Sequence, residues 1–220
     1  MSTTQAPAQD RFLLHGITWA TYKRILEGQG ERPIRITYDR GELELMTLSY
    51  GHERQSRSLN RLVEAVAEEF EIPIASAGST TINLEAVDRG LEPDQCYYFA
   101  NEPLIRGKAE IDLDIDPPPD LAIEVDISRS SINRLGIYAA LGIPEVWRWS
   151  KGRLIVYHRQ EDGTYAVRGE SLTFPFLPMA DVDRLIREAE TADQLGWMRS
   201  VRAWVRTEVA PRRDGGPARP

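Results

Sequence analysis

The chain has 220 residues, 41% hydrophobic and 28% charged, a mixture that suits one globular domain with short extensions and a sizeable core. The formal net charge of -7 argues against a protein that coats nucleic acid nonspecifically, because neutralising phosphates takes clustered Lys and Arg. No apolar run approaches a bilayer span, so no membrane partner is expected; the single Cys96 excludes an intrachain disulfide and fits a reducing cytoplasm.

Residues 1–12 are polar, lack a basic stretch followed by an apolar one, and are expected to be disordered without a secretory signal. A folded domain is expected over 13–190, a C-terminal helix over 191–210 and a loose Pro, Gly and Arg rich tail over 211–220. Ile17 to Leu26 reads as a short helix. Ile34 to Tyr38 and Glu42 to Thr47 read as strands joined at Asp39-Arg40-Gly41. His52 to Phe70 is the clearest helix, with Leu59, Leu62, Val63 and Val66 on one face. Short strands are expected at Ile72 to Ser76, Thr80 to Glu85 and Asp94 to Ala100, then an acidic loop to Asp116 and an extended entry at Pro117-Pro118-Pro119. In the strand Asp120 to Ser128, Leu121, Ile123, Val125 and Ile127 alternate with Ala122, Glu124, Asp126 and Ser128. A helix follows from Ile132 to Leu141, stopped by Gly142 and Pro144. Next come a hairpin of Glu145 to Trp149 with Arg153 to His158, a strand at Tyr165 to Arg168, and helices near Ala180 to Glu190 and Ala192 to Val209.

The chemistry is expected where Glu92-Pro93-Asp94 meets Glu124. Two carboxylates converging from neighbouring strands offer the hard oxygen donors that Mg²⁺ prefers, with waters completing the shell. Such an ion would activate a water for phosphodiester hydrolysis. Alternation alone places Glu124 on a solvent face. Three features favour a site instead: the apolar opposite face, the helix that follows at once, and a second carboxylate, Asp126, on the same face, which is costly without a cation nearby.

The ordered text Gly41-Glu-Leu-Glu-Leu-Met46, His52-Glu53, Gly78-Ser-Thr-Thr81, Leu91-Glu-Pro-Asp-Gln-Cys-Tyr-Tyr98, Pro117 to Ser128 and Ile137 to Arg148 resembles the Uma-two family. That family is a bacterial branch of the PD-(D/E)XK nuclease superfamily. The resemblance spans about Ile17 to Leu185 and implies an α/β restriction-endonuclease-like fold, a central mixed sheet flanked by helices. It implies a DNA endonuclease using Mg²⁺, or Mn²⁺, with metal ligands at Asp94 and Glu124, and with Glu42 or Glu44 and His52 nearby. Asp126 is carried as a further candidate ligand. The superfamily pattern has lysine two positions after the glutamate, where this chain has Asp126. In the Uma-two branch the lysine sits four residues before a tyrosine, a register that places Arg134 ahead of Tyr138. Arginine neutralises phosphate charge but cannot act as a general base.

A rival reading is an inactive relative serving as a dimeric binding or regulatory module, with Asp126 and Arg134 paired as a salt bridge. A homodimer also suits an enzyme acting on two strands. Arg54, Arg57 and Arg61, and the tail residues Arg212, Arg213 and Arg219, are either phosphate contacts or solvated charges. Trp147 and Trp149 are either an interaction surface or core, and His15 and His158 receive no role.

Overall fold

The computed structural model describes residues 10–30, 34–126 and 130–213. Its first sheet takes strands β1 (Arg11–Leu14), β2 (Ile34–Asp39), β3 (Glu42–Thr47), β5 (Ile82–Leu84) and β6 (Arg89–Leu91), in the order β1-β3-β2-β6-β5, all antiparallel. The second takes β4 (Ala75–Ser76), β7 (Gln95–Tyr98), β8 (Leu121–Asp126), β9 (Glu145–Ser150), β10 (Arg153–Arg159) and β11 (Tyr165–Arg168), in the order β11-β10-β9-β8-β7-β4. Only β8 and β9 run parallel, as a strand pair joined through a helix must, so this sheet is mixed. The expected mixed α/β architecture is present, and a second sheet accompanies it. Both predicted hairpins close on two residues of positive φ, Arg40 and Gly41 in one and Lys151 and Gly152 in the other, the twist-matched geometry of tight hairpins.

Helix α1 (Trp19–Gln29) lies on the first sheet through Tyr22, Ile36, Tyr38 and Leu43, with the Tyr22 and Tyr38 rings stacked at 4.7 Å. Helix α2 (Tyr50–Glu69) starts where the Ser49 hydroxyl accepts the His52 N–H at 3.3 Å. Its stripe of Leu59, Leu62, Val63 and Val66 packs on Leu121, Ile123 and Val125 of β8, beside α5 (Met179–Glu188) and α6 (Gln194–Trp204). Each such side chain contributes about 1.5–3 kcal/mol on burial. Trp147 and Trp149 are in this core, so the interaction-surface reading of them falls. On the opposite face of the six-stranded sheet, Ala122 and Val146 pack with Ile137 and Tyr138 of α4 (Arg134–Ala140), where Ile82 and Leu91 of the first sheet join them. Thus β8 is covered on both faces.

Several boundaries differ from expectation. The strand expected from Ile72 shortens to Ala75–Ser76, because the Ile72 N–H still returns to the Ala67 carbonyl at 2.9 Å, closing α2 through Glu71 at φ 53°. Strand β6 and the one-turn helix α3 (Glu102–Ile105) were not anticipated. Arg11 and Phe12, expected to be disordered, pair with Met46 and Leu45 in β1; residues 1–9 lie outside the described residues. The C-terminal helix continues from α6 through a wider π turn, Val205–Val209, to α7 (Ala210–Arg213), and its Val201, Val205 and Val209 belong to the main core. The tail expectation, Arg219 included, otherwise falls on 214–220, outside the described residues.

Candidate active site

Two hydrogen bonds, one through its backbone and one through its side chain, fasten Asp94 to β8. Its N–H donates to the Ile123 carbonyl at 3.2 Å, and its Oδ2 accepts the Val125 N–H at 2.7 Å. The Asp94 carboxylate therefore sits beside the residue adjoining Glu124. Glu124 is 8% exposed, which overturns the solvent-face reading that alternation favours: α4 and the first sheet cover that face. Sequence period shows which residues share a face, not whether a second layer lies over it.

Arg134 holds the other side. It opens α4, and Tyr138 follows one turn later on the same side. Arg134 Nε donates to Glu124 Oε1 at 2.9 Å, and the Tyr138 hydroxyl donates to the same oxygen. The remaining guanidinium nitrogens reach the Thr37 hydroxyl on β2 and the Glu92 carbonyl, the latter at 2.8 Å. One side chain so joins both sheets and α4. The Glu92 carboxylate is turned away, accepting from the Ile36 N–H at 3.3 Å and the Thr81 hydroxyl at 3.1 Å.

His52, in the first turn of α2, lies under this centre at 1% exposure, with Nε2 3.2 Å from Asp94 Oδ2. Neither ring nitrogen has an aligned hydrogen bond, so the contact is electrostatic. Arg35 Nε stands 3.9 Å from Asp94 Oδ1. Burial alone would raise the Asp94 carboxyl, but His52 and Arg134 hold it below the usual carboxylate range. Burial likewise opposes charge on His52, yet Asp94, Glu124 and Glu53 raise it above an ordinary histidine. Glu124 moves the other way: burial and the neighbouring Asp94 raise it, and Arg134 only partly offsets them. Burial also raises Tyr138, which stays a hydroxyl donor. Carboxylates pushed apart in this way divide charge between themselves, an arrangement common at functional sites.

The centre opens on a cleft of about 440 Å³, walled by Glu124, Asp126, Arg134, Arg148, Arg11 and Ser130 among others. Of the expected residues, Asp94, Glu124, Arg134 and His52 come together. Asp126 does not join them: its carboxylate pairs with Arg148 at 2.5 Å. The expected Asp126–Arg134 salt bridge is therefore corrected. Arg134 is taken by Glu124, and Arg148 on the parallel neighbour β9 takes Asp126. Glu44 is the cross-strand partner of Thr37, but its carboxylate turns to Arg11 at 2.7 Å, the Ser130 hydroxyl and the Ser131 N–H, both at 2.8 Å. It tethers the segment leading into α4. Glu42 is exposed beside His15 at 3.5 Å, and His158 bonds the Glu170 carbonyl at 2.9 Å, away from the cleft. Arg57 pairs with Glu53, and Arg213 stacks on Phe70. Thr37, Arg35, Arg148 and Arg11 were missed. The polar positions Arg35 and Thr37 alternate with Ile36 and Tyr38, which reads as a solvent face unless the second layer is known.

Magnesium chemistry can be fitted to these donors. Among the described residues no three or more His, Cys, Asp or Glu side chains gather as a ligand cage. Two carboxylates with waters are the usual Mg²⁺ set, and among the described residues the hydrogen bonds to this pair fall on Asp94 Oδ2 and Glu124 Oε1.

Fold and site together define a mixed α/β protein with a buried carboxylate–guanidinium centre at the floor of a cleft. The family model of Uma2, described as "Putative restriction endonuclease", matches residues 19–182, and the chain belongs to that family. A crystal structure of a "putative nuclease belonging to DUF820" from Anabaena variabilis ATCC 29413 aligns with a TM-score of 0.46 at 16% identity, covering 77% of this chain and 90% of that one. No curated protein matches. Among the described residues, no helix is long and apolar enough to cross a membrane.

Proposed function

We propose that this chain is a metal-dependent nuclease that hydrolyses DNA phosphodiester bonds at the Asp94–Glu124 centre. The observation that carries the reading is the clamping of Asp94 onto Val125, which holds a second buried carboxylate beside the strand position next to Glu124, itself in the wall of the cleft. Asp94 and Glu124 would hold Mg²⁺, or Mn²⁺, which when bound supplies a Lewis acid that activates the attacking water and steadies the leaving oxygen. Arg134 carries a permanent charge: burial opposes it, but Glu124, Tyr138 and Asp94 outweigh burial and raise its pKa. It therefore stabilises charge without moving a proton. His52 supports Asp94 and, with Arg134, keeps it ionised, while Arg35 stands 3.9 Å from its other oxygen. Glu124→Gln keeps the shape and removes the charge. It is expected to lower the rate of plasmid nicking in Mg²⁺ at least a hundredfold, on the order of a lost electrostatic contact in the transition state. Nicking at the native rate would remove Glu124 from the mechanism.

One observation favours a second reading. Arg134 already neutralises Glu124 and also donates to Thr37 and Glu92, so the centre is stable as it stands. In that reading the cleft binds nucleic acid without cutting it, and native protein would bind a duplex yet leave plasmid intact in either metal.

A further inference from the structure

Among the described residues, three guanidinium groups border the cleft, and their commitments differ. The Arg134 side chain, 14% exposed, is spent on Glu124, Thr37 and Glu92. Arg11, 16% exposed, is bound to the buried Glu44. Arg148 is 34% exposed, and its ion-pair partner is Asp126. A guanidinium presents five N–H donors in a planar fork. Asp126 engages one terminal nitrogen and the Tyr157 hydroxyl lies against the group, and the side chain lines the cleft.

Position adds to this. In the parallel ladder Arg148 is the direct neighbour of Glu124, so the two side chains leave adjacent strands on the same face. Asp126, two residues beyond Glu124 and about 6.6 Å along the strand, anchors the fork on the solvent side of the carboxylate centre. The pair is partly buried, and it fixes where the fork lies. Bidentate recognition of a phosphate suits such a fork.

We propose that Arg148 is a substrate-binding residue that contacts a phosphate of the DNA strand next to the one cleaved, with Asp126 as its positioning residue. The inference rests on the nuclease reading of the cleft. It also gives Asp126 a role that does not require metal ligation.

The test is binding of a short fluorescent duplex by native protein, Arg148→Met and Arg148→Lys, followed by anisotropy without metal between about 50 and 200 mM salt. Arg148→Met is expected to weaken binding and reduce the slope of log K against log salt by about 1, as for one lost phosphate contact. Arg148→Lys restores the slope, because charge suffices for it. Thermal melting of all three proteins within a few degrees shows that folding is not the cause. An unchanged slope in Arg148→Met overturns the inference, and if native protein still nicks plasmid, the nuclease reading stands without it. Native protein that neither binds duplex nor nicks plasmid overturns both.

Discussion

Replacing Arg134 by Met leaves Glu124 buried with its main cationic partner gone. Nε and a terminal nitrogen of Arg134 both donate to Glu124 Oε1, and the same side chain satisfies Thr37 and the Glu92 carbonyl. Removing one partner of a buried pair costs about 3–5 kcal/mol, since the remaining charge is uncompensated. For a chain of this size, that corresponds to a fall in melting temperature of roughly 6–20 °C. Replacing both residues, as Arg134→Met with Glu124→Gln, removes the stranded charge and is expected to recover much of the loss. The assay is urea unfolding of native, single and double variants, read as a double-mutant cycle in EDTA. A second arm adds Mg²⁺ to Arg134→Met. If Glu124 is a metal ligand, saturating metal at a hundredfold its dissociation constant returns about 2.7 kcal/mol. A single variant costing under about 1 kcal/mol, or strict additivity of the two changes, would refute the view that Arg134 is what makes a buried Glu124 tolerable.

Glu145 is fully buried and accepts from the Trp147 indole, the Leu172 and Thr173 N–H groups and the Thr173 hydroxyl. Glu145→Ala is expected to destabilise by about 3 kcal/mol or more, judged from several stranded donors, while Glu145→Gln costs less; chemical denaturation separates the two. A Cβ at Gly90 would collide with the Tyr22 hydroxyl and Asn83, so Gly90→Ala should lower stability by about 1–3 kcal/mol, and an unchanged melting temperature would contradict this packing. Burial pushes the Cys96 thiol up to about 12, so alkylation at pH 8 should proceed in denaturant but not in native protein, as mass spectrometry would show. Burial raises the Asp39 carboxyl, but Arg89 and Arg40 pull it below its ordinary range. The stability this gives is present above about pH 4 and is lost as pH falls through the folded value. The melting-temperature gap between native protein and Arg89→Met should therefore narrow in acid.

Much of the fold could be read from periodicity. The α2 stripe, both positive-φ hairpins and the apolar alternation of β8 are local patterns, and each fixes its element without knowledge of the rest. That the five-stranded sheet lies over β8 was not legible: its hairpin and β5 were read as strands, but β6, which joins β5 to β2, has only three residues and no pattern of its own. That missing layer explains the misread environment of Glu124 and the overlooked Thr37. At the site, Asp94, Glu124, Arg134 and His52 were named from the resemblance and their spacing, and the structure brings them together. The partner of Asp126 was not foreseeable. It depends on the register of a parallel pair, in which Glu124 rather than Asp126 is level with Arg148, while the long arginine reaches across to Asp126. The role of Glu44 as a tether of Ser130 and Ser131 depends on a contact between residues far apart in sequence, which no local motif encodes.

Asp94 and Glu124 are proposed to form a metal-dependent phosphodiester-cleaving centre. Its most direct test is incubation of supercoiled plasmid and single-stranded DNA with native protein and Asp94→Ala in Mg²⁺, Mn²⁺ and EDTA. Cutting is expected by native protein with either metal, none in EDTA, and none by Asp94→Ala, whose folding is checked by circular dichroism. Equal cutting by Asp94→Ala, or no cutting by native protein on either substrate in either metal, would contradict it.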